Sequence, residues 1–94
     1  MAQFGWVLFF EHPKGWDELP TNEEKITALR HHIQRCFEQV EPLLVNGLSF
    51  ASKQEMIGSG CVVGPDAECL HLKDQVEKMG IGKMIPNTDC IRSA

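Results

Sequence analysis

Residues 4–10 read FGWVLFF, and they are apolar on both faces of any strand they form. A strand that buries one face alternates apolar and polar residues. Here Phe4, Trp6, Leu8 and Phe10 fall on one face, and Val7 and Phe9 on the other. Both faces therefore need cover. A chain of 94 residues buries only roughly 60–65% of its unfolded surface and builds one modest core. The larger set, Phe4, Trp6, Leu8 and Phe10, is expected to meet the chain's own helices. Val7 and Phe9 are then left facing outward.

The remaining elements follow from periodicity and punctuation. The first strand covers about residues 3–11 and ends before Pro13. The segment EHPKGWDELP, residues 11–20, carries two prolines and a glycine and reads as an ordered loop, because Trp16 and Leu19 are costly to leave in water. Thr21 and Glu24 form a capping box. Ile26, Leu29, Ile33, Cys36, Phe37 and Val40 recur at spacings of three and four as one apolar stripe, and Pro42 stops or kinks the helix near Glu41. Asn46-Gly47 fits the left-handed end of a kinked last turn better than a hairpin. Residues 48–52 make a second strand, 52–55 a turn and 56–63 a third strand. A second helix starts in GPDAE with Pro65, Asp66 and Glu68 in its first turn, and Cys69, Leu72, Val76 and Met79 form its stripe up to Gly80. Residues 83–91 form a last strand, where Pro86 indicates an edge or a bulge.

The order β-α-β-β-α-β over residues 1–94 is an α+β fold of one domain, the split β-α-β or ferredoxin-like arrangement: an antiparallel sheet with both helices on one face. In element order and length the chain resembles small ferredoxin-like proteins that pair through their sheets, the dimeric α+β barrels. That resemblance implies a homodimer. It transfers no functional residue, because it rests on topology and not on a motif.

Charge and composition narrow the partners. The formal net charge is −4, and the 9 Lys and Arg are dispersed, whereas a nucleic-acid binder carries a basic face. The apolar run from Trp6 to Phe10 is too short for a membrane span or a signal-peptide core. The expectation is a soluble cytoplasmic protein that binds neither nucleic acid nor membrane. Its four cysteines, Cys36, Cys61, Cys69 and Cys90, are then expected to be free, buried thiols; in a secreted chain they would permit three disulfide connectivities.

Three places carry possible chemistry. GSGCVVGPD, residues 58–66, brings glycines to a helix start, but it lacks the Gly-Lys-Ser/Thr of a phosphate loop and reads as a bulged strand needing close backbone approach. His31, His32, Cys36, Cys61, Cys69, His71 and Cys90 supply zinc-type ligands without a Cys-x-x-Cys knuckle, so no metal or other cofactor is expected. The third place is the loop after the first strand. Glu11, His12 and Trp16 stand where a pocket for an apolar small molecule would form, with Trp16 as its roof. The bland alternative is a solvated histidine and a tryptophan packed on the helix start.

Two functions are compatible with these residues. One is a homodimeric binding module with a small-molecule pocket under the loop 11–20. The other is a small enzyme of the dimeric α+β barrel type that uses His12 as proton shuttle. The absence of a catalytic signature favours the module. A second titratable group beside His12 in a closed cavity would favour the enzyme.

Overall fold

The computed structural model describes residues 4–87 except Asn46 and Met56, with Phe4 described in its backbone alone. Strand β1 (Phe4–Phe10) leads through a short 3-10 turn at Trp16–Glu18 to helix α1 (Asn22–Val40). A second 3-10 turn (Glu41–Leu43) precedes β2 (Ser49–Gln54) and β3 (Ser59–Gly64). Helix α2 (Asp66–Met79) and β4 (Gly82–Pro86) complete the order. The fold is α+β: a four-stranded sheet in the order β2-β3-β1-β4 with every pairing antiparallel, and two helices. Each helix joins two strands that are not neighbours. β3 lies between β1 and β2, and β1 lies between β3 and β4.

The faces of β1 separate as its alternation requires. Trp6, Leu8 and Phe10 are buried in a core with Ile33, Cys36, Phe37 and Val40 of α1, Cys69, Leu72 and Val76 of α2, Val62 of β3 and Met84 of β4. Each large apolar side chain in it contributes roughly 1.5–3 kcal/mol relative to exposure. The register places Val7 opposite Cys61 on one side and Ile85 on the other, and Phe9 opposite Ser59 and Lys83. These residues point away from the helices. Phe9 is 45% exposed and Ile85 51%. The side chain of Phe4, assigned by its spacing to the core set, lies outside the described residues.

Phe37 organises the centre. Its ring stands edge-on to Phe10 at 4.8 Å and edge-on to Phe50 at 5.4 Å between centroids. Gly60 makes room for it: a Cβ there would sit 3.1 Å from Phe37 Cε1 and 3.0 Å from the Ser52 carbonyl. The glycine-rich stretch is thus strand and turn, as close backbone approach demands. The bulge itself is on β2, at the register shift between Phe50 and Ser52.

One turn and two stripe assignments differ from those the residues suggest. The turn between β2 and β3 falls after Gln54, because β2 continues through Lys53, whose ammonium reaches over the Phe37 and Phe50 rings and pairs with Glu41. Ile26, placed in the α1 stripe, is 49% exposed. A 19-residue helix is about 28 Å long, longer than a strand of six or seven residues, so its first turns overhang the sheet. Met79 is likewise exposed at the end of α2. The last strand is described up to Pro86, and β4 is an edge strand. Residues 88–91, also expected in it, lie outside the described residues. Among the described residues, no helix is long and apolar enough to cross a membrane.

Candidate functional site

The loop after β1 is held at both ends and in the middle. Phe10 N–H donates to the Gly58 carbonyl (2.8 Å), and Glu11 N–H donates to the Ile81 carbonyl (3.0 Å). Trp16 N–H closes a turn onto the Pro13 carbonyl at 3.1 Å, which Gly15 makes possible at φ 81°. The indole N–H of Trp16 donates to the Lys25 carbonyl at 2.8 Å. His32 Nε2 meets the Glu11 carbonyl at 2.9 Å; a carbonyl only accepts, so that nitrogen carries the proton. The loop is therefore docked on the N-terminal half of α1. It does not cross to the side of the sheet that carries Val7 and Phe9.

This places the three candidate residues. The rings of His12 and Trp16 stack at 4.4 Å and 15°, and the Lys25 ammonium lies 5.7 Å from the Trp16 ring centre. Glu11 contributes its backbone to the docking and leaves its carboxylate exposed. His12 is exposed and Trp16 half-buried. A shallow groove lies at the far end of the same loop, lined by Leu19, Glu23, Glu24, Thr27 and Ala28. It is bordered by α1, and Glu11, His12 and Trp16 do not line it.

The thiols divide into two kinds. Cys36 and Cys69 are free and buried. Cys36 Sγ lies 3.6 Å from His32 Nε2, one turn earlier on α1. Burial raises the Cys36 thiol above its ordinary value, with Arg35 working weakly against it. Burial, with the Asp66 and Glu68 carboxylates, pushes Cys69 up to about 11. Both are neutral thiols at neutral pH and poor nucleophiles. Among the described residues, no group of three or more His, Cys, Asp or Glu is placed to hold a metal ion.

Cys61 corrects the expectation of four free thiols, since it is disulfide-bonded. Its alternation with the buried Val62 puts it on the helix-free face, between Val7 of β1 and Ser52 of β2. Spacing gave no sign of this, because the bond depends on which sheet face a thiol occupies. The inference of free thiols from a cytoplasmic compartment fails at this residue. Cys90 lies outside the described residues.

Comparison with known proteins found no matching family model, no matching curated protein and no matching solved structure.

Proposed function

We propose that the chain is a ferredoxin-like binding module that pairs with a second copy through the helix-free face of its sheet, as dimeric α+β barrels do. The observation that carries this reading is the apolar row on that face. Val7, Cys61 and Ile85 lie side by side, Val63 stands opposite Gly5 and Phe9 opposite Ser59. Among the described residues, the loop 11–20 that was expected as the alternative cover is docked on α1 instead. Apolar side chains this close together drive association when a partner removes them from water. A two-fold pairing buries the same patch twice and leaves no further copy to add.

The element order and the placing of β3 and β1 between the strands that each helix joins support the ferredoxin-like assignment. Pairing of two such sheets would enclose an apolar space between them, and the small molecule this module would hold is correspondingly apolar. The enzyme reading needs a titratable partner for His12. The contact His12 makes is the ring stack on Trp16, so the module is the reading adopted.

Sedimentation velocity at micromolar concentration, with and without a dithiol reductant, tests the pairing. A two-chain mass in at least one of the two conditions supports it, and a one-chain mass in both overturns it. Phe9→Asp should abolish the dimer, because a carboxylate buried without a partner costs several kcal/mol. Thermal unfolding of that variant checks that the monomer remains folded.

A further inference from the structure

The face proposed to pair carries its charge in one place. Register sets Gln54, Ser59, Phe9 and Lys83 in one row across the sheet, and Val7 and Ile85 side by side in the next. Among the described residues, Lys83 is the only charged side chain that the strands place on this face. It is exposed, in a chain with 13 Asp and Glu and a net charge of −4. The other strand lysine, Lys53, stands opposite Gly60 on the helix side and pairs with Glu41. Lys83 forms no ion pair among the described residues, and Glu11, just past this end of β1, is not within ion-pair distance of it. We infer that Lys83 selects what this face holds: an apolar molecule that carries a carboxylate or an equivalent single negative charge.

The register sets the geometry of such a site. Lys83 is directly opposite Phe9 in the pairing of β1 with β4, and opposed residues hold their Cβ atoms about 4.5–5.5 Å apart. Ile85 lies two residues further along β4 on the same face, about 7 Å away. The ammonium ends a flexible four-carbon stem, so it reaches a group bound beside either side chain. Phe9 and Ile85, each about half exposed, and Val7 next to both supply the apolar contact. A molecule whose apolar body lies on Val7 and Ile85 therefore brings its acid group to Lys83. Small-molecule sites have this composition, mostly apolar with few placed polar groups. Because β4 is an edge strand, the lysine stands at the rim, where the acid group stays partly in water while the apolar body leaves it.

The sign of the charge follows from the same inventory. Among the described residues, the strands place no carboxylate on this face to hold a cation. Pairing of two copies adds a second Lys83 to the interface, and like charges brought together oppose association. An acid beside each lysine removes that opposition, and an amine would add to it. The enclosure between two sheets rests on the dimer reading above; the preference for an acid rests on Lys83. A lysine on an edge strand also discourages further strands from adding to a sheet. That role needs only a charge at the edge and gives no preference among bound molecules.

The test titrates the full chain with two fluorescent probes, anilinonaphthalene sulfonate and uncharged phenylnaphthylamine, which share an apolar body and differ in the anionic group. The natural sequence should bind the sulfonate more tightly. Lys83→Gln should weaken the sulfonate about tenfold, as loss of a charge-assisted hydrogen bond does, and leave phenylnaphthylamine unchanged. Lys83→Arg should keep the sulfonate. Dodecanoate should displace the bound sulfonate, and dodecylamine should not. Equal sulfonate affinity in the natural sequence and Lys83→Gln, or equal displacement by acid and amine, overturns the inference and leaves Lys83 as a guard of the edge. Sedimentation of the same samples separates this outcome from the pairing. Two chain masses with no dependence of binding on Lys83 overturn the acid preference and leave the dimer standing. One chain mass with Lys83-dependent binding overturns the dimer and keeps the preference on a single face. One chain mass with no such dependence overturns both.

Discussion

The indole N–H of Trp6 donates to Asp66 Oδ1 at 3.2 Å, joining β1 to the first turn of α2 across 60 positions of sequence. Trp6 is 4% exposed, so this polar edge of an otherwise apolar ring has to be satisfied from within the fold. Asp66 also lies in the first turn of α2, at the positive end of the helix dipole.

Asp66→Ala is expected to cost about 1.5–3 kcal/mol, as loss of a hydrogen bond to a charged group does. Asp66→Asn retains an acceptor and gives up only the charge, so its loss should be the smaller. Urea unfolding of both variants checks this. Equal losses would mean that the helix charge, and not the indole bond, is what Asp66 supplies.

Gly60→Ala should destabilise the fold by about 1–3 kcal/mol through overpacking. The added methyl would meet the Phe37 ring and the Ser52 carbonyl at 3.0–3.1 Å. Only the ring is free to retreat. Combining the change with Phe37→Leu should therefore give a total loss smaller than the two single losses added together. Strict additivity in unfolding experiments would show that Phe37 is not what Gly60 accommodates.

The features legible from the residues are those that depend on local pattern. The division of β1 into Trp6, Leu8 and Phe10 against Val7 and Phe9 is a matter of parity, and a strand has only two faces. The start of α1 at Thr21 is a matter of capping chemistry. Ile26 fits the stripe by its spacing, while its exposure depends on how far α1 extends past the sheet. The docking of the loop 11–20 onto α1 could not be read either. It turns on the Trp16 indole finding the Lys25 carbonyl and on His32 finding Glu11, and neither backbone oxygen carries a mark in the sequence. Cys61 is the plainest case. Its neighbours in sequence are valine and glycine, and neither marks it as a bonded cysteine.

The cap of α1 gives a prediction of intermediate size. Thr21 Oγ1 accepts from Glu24 N–H at 3.1 Å. Thr21→Ala should cost about 1 kcal/mol, and Thr21→Ser or Thr21→Asp should be close to neutral. The loop before Thr21 is held separately by Trp16, so the His12–Trp16 stack should survive the alanine change. Unaltered tryptophan fluorescence alongside lowered stability is the expected pair of results. A changed emission would show that the cap also orients the loop.

Cys69 supplies a prediction with a defined pH window. Its thiol is raised from the ordinary 9.0 to about 11 by burial and by the Asp66 and Glu68 carboxylates. Below pH 9 the thiol is protonated in both the folded and unfolded chain, and pH has no effect through it. Between 9 and 11 the unfolded chain releases this proton while the folded chain keeps it. The unfolded state then binds fewer protons, and stability falls as pH rises through that window. Cys36 is shifted in the same direction. The measurement is the difference between the natural sequence and Cys69→Ala in denaturant unfolding at pH 8, 9.5 and 10.5. That difference should shrink steadily with rising pH. Thiol labelling at pH 8 gives a second reading: two thiols that react slowly in the folded protein and rapidly in denaturant without reductant. A constant difference across the pH series, together with fast labelling of the folded protein, would show Cys69 to be exposed to water.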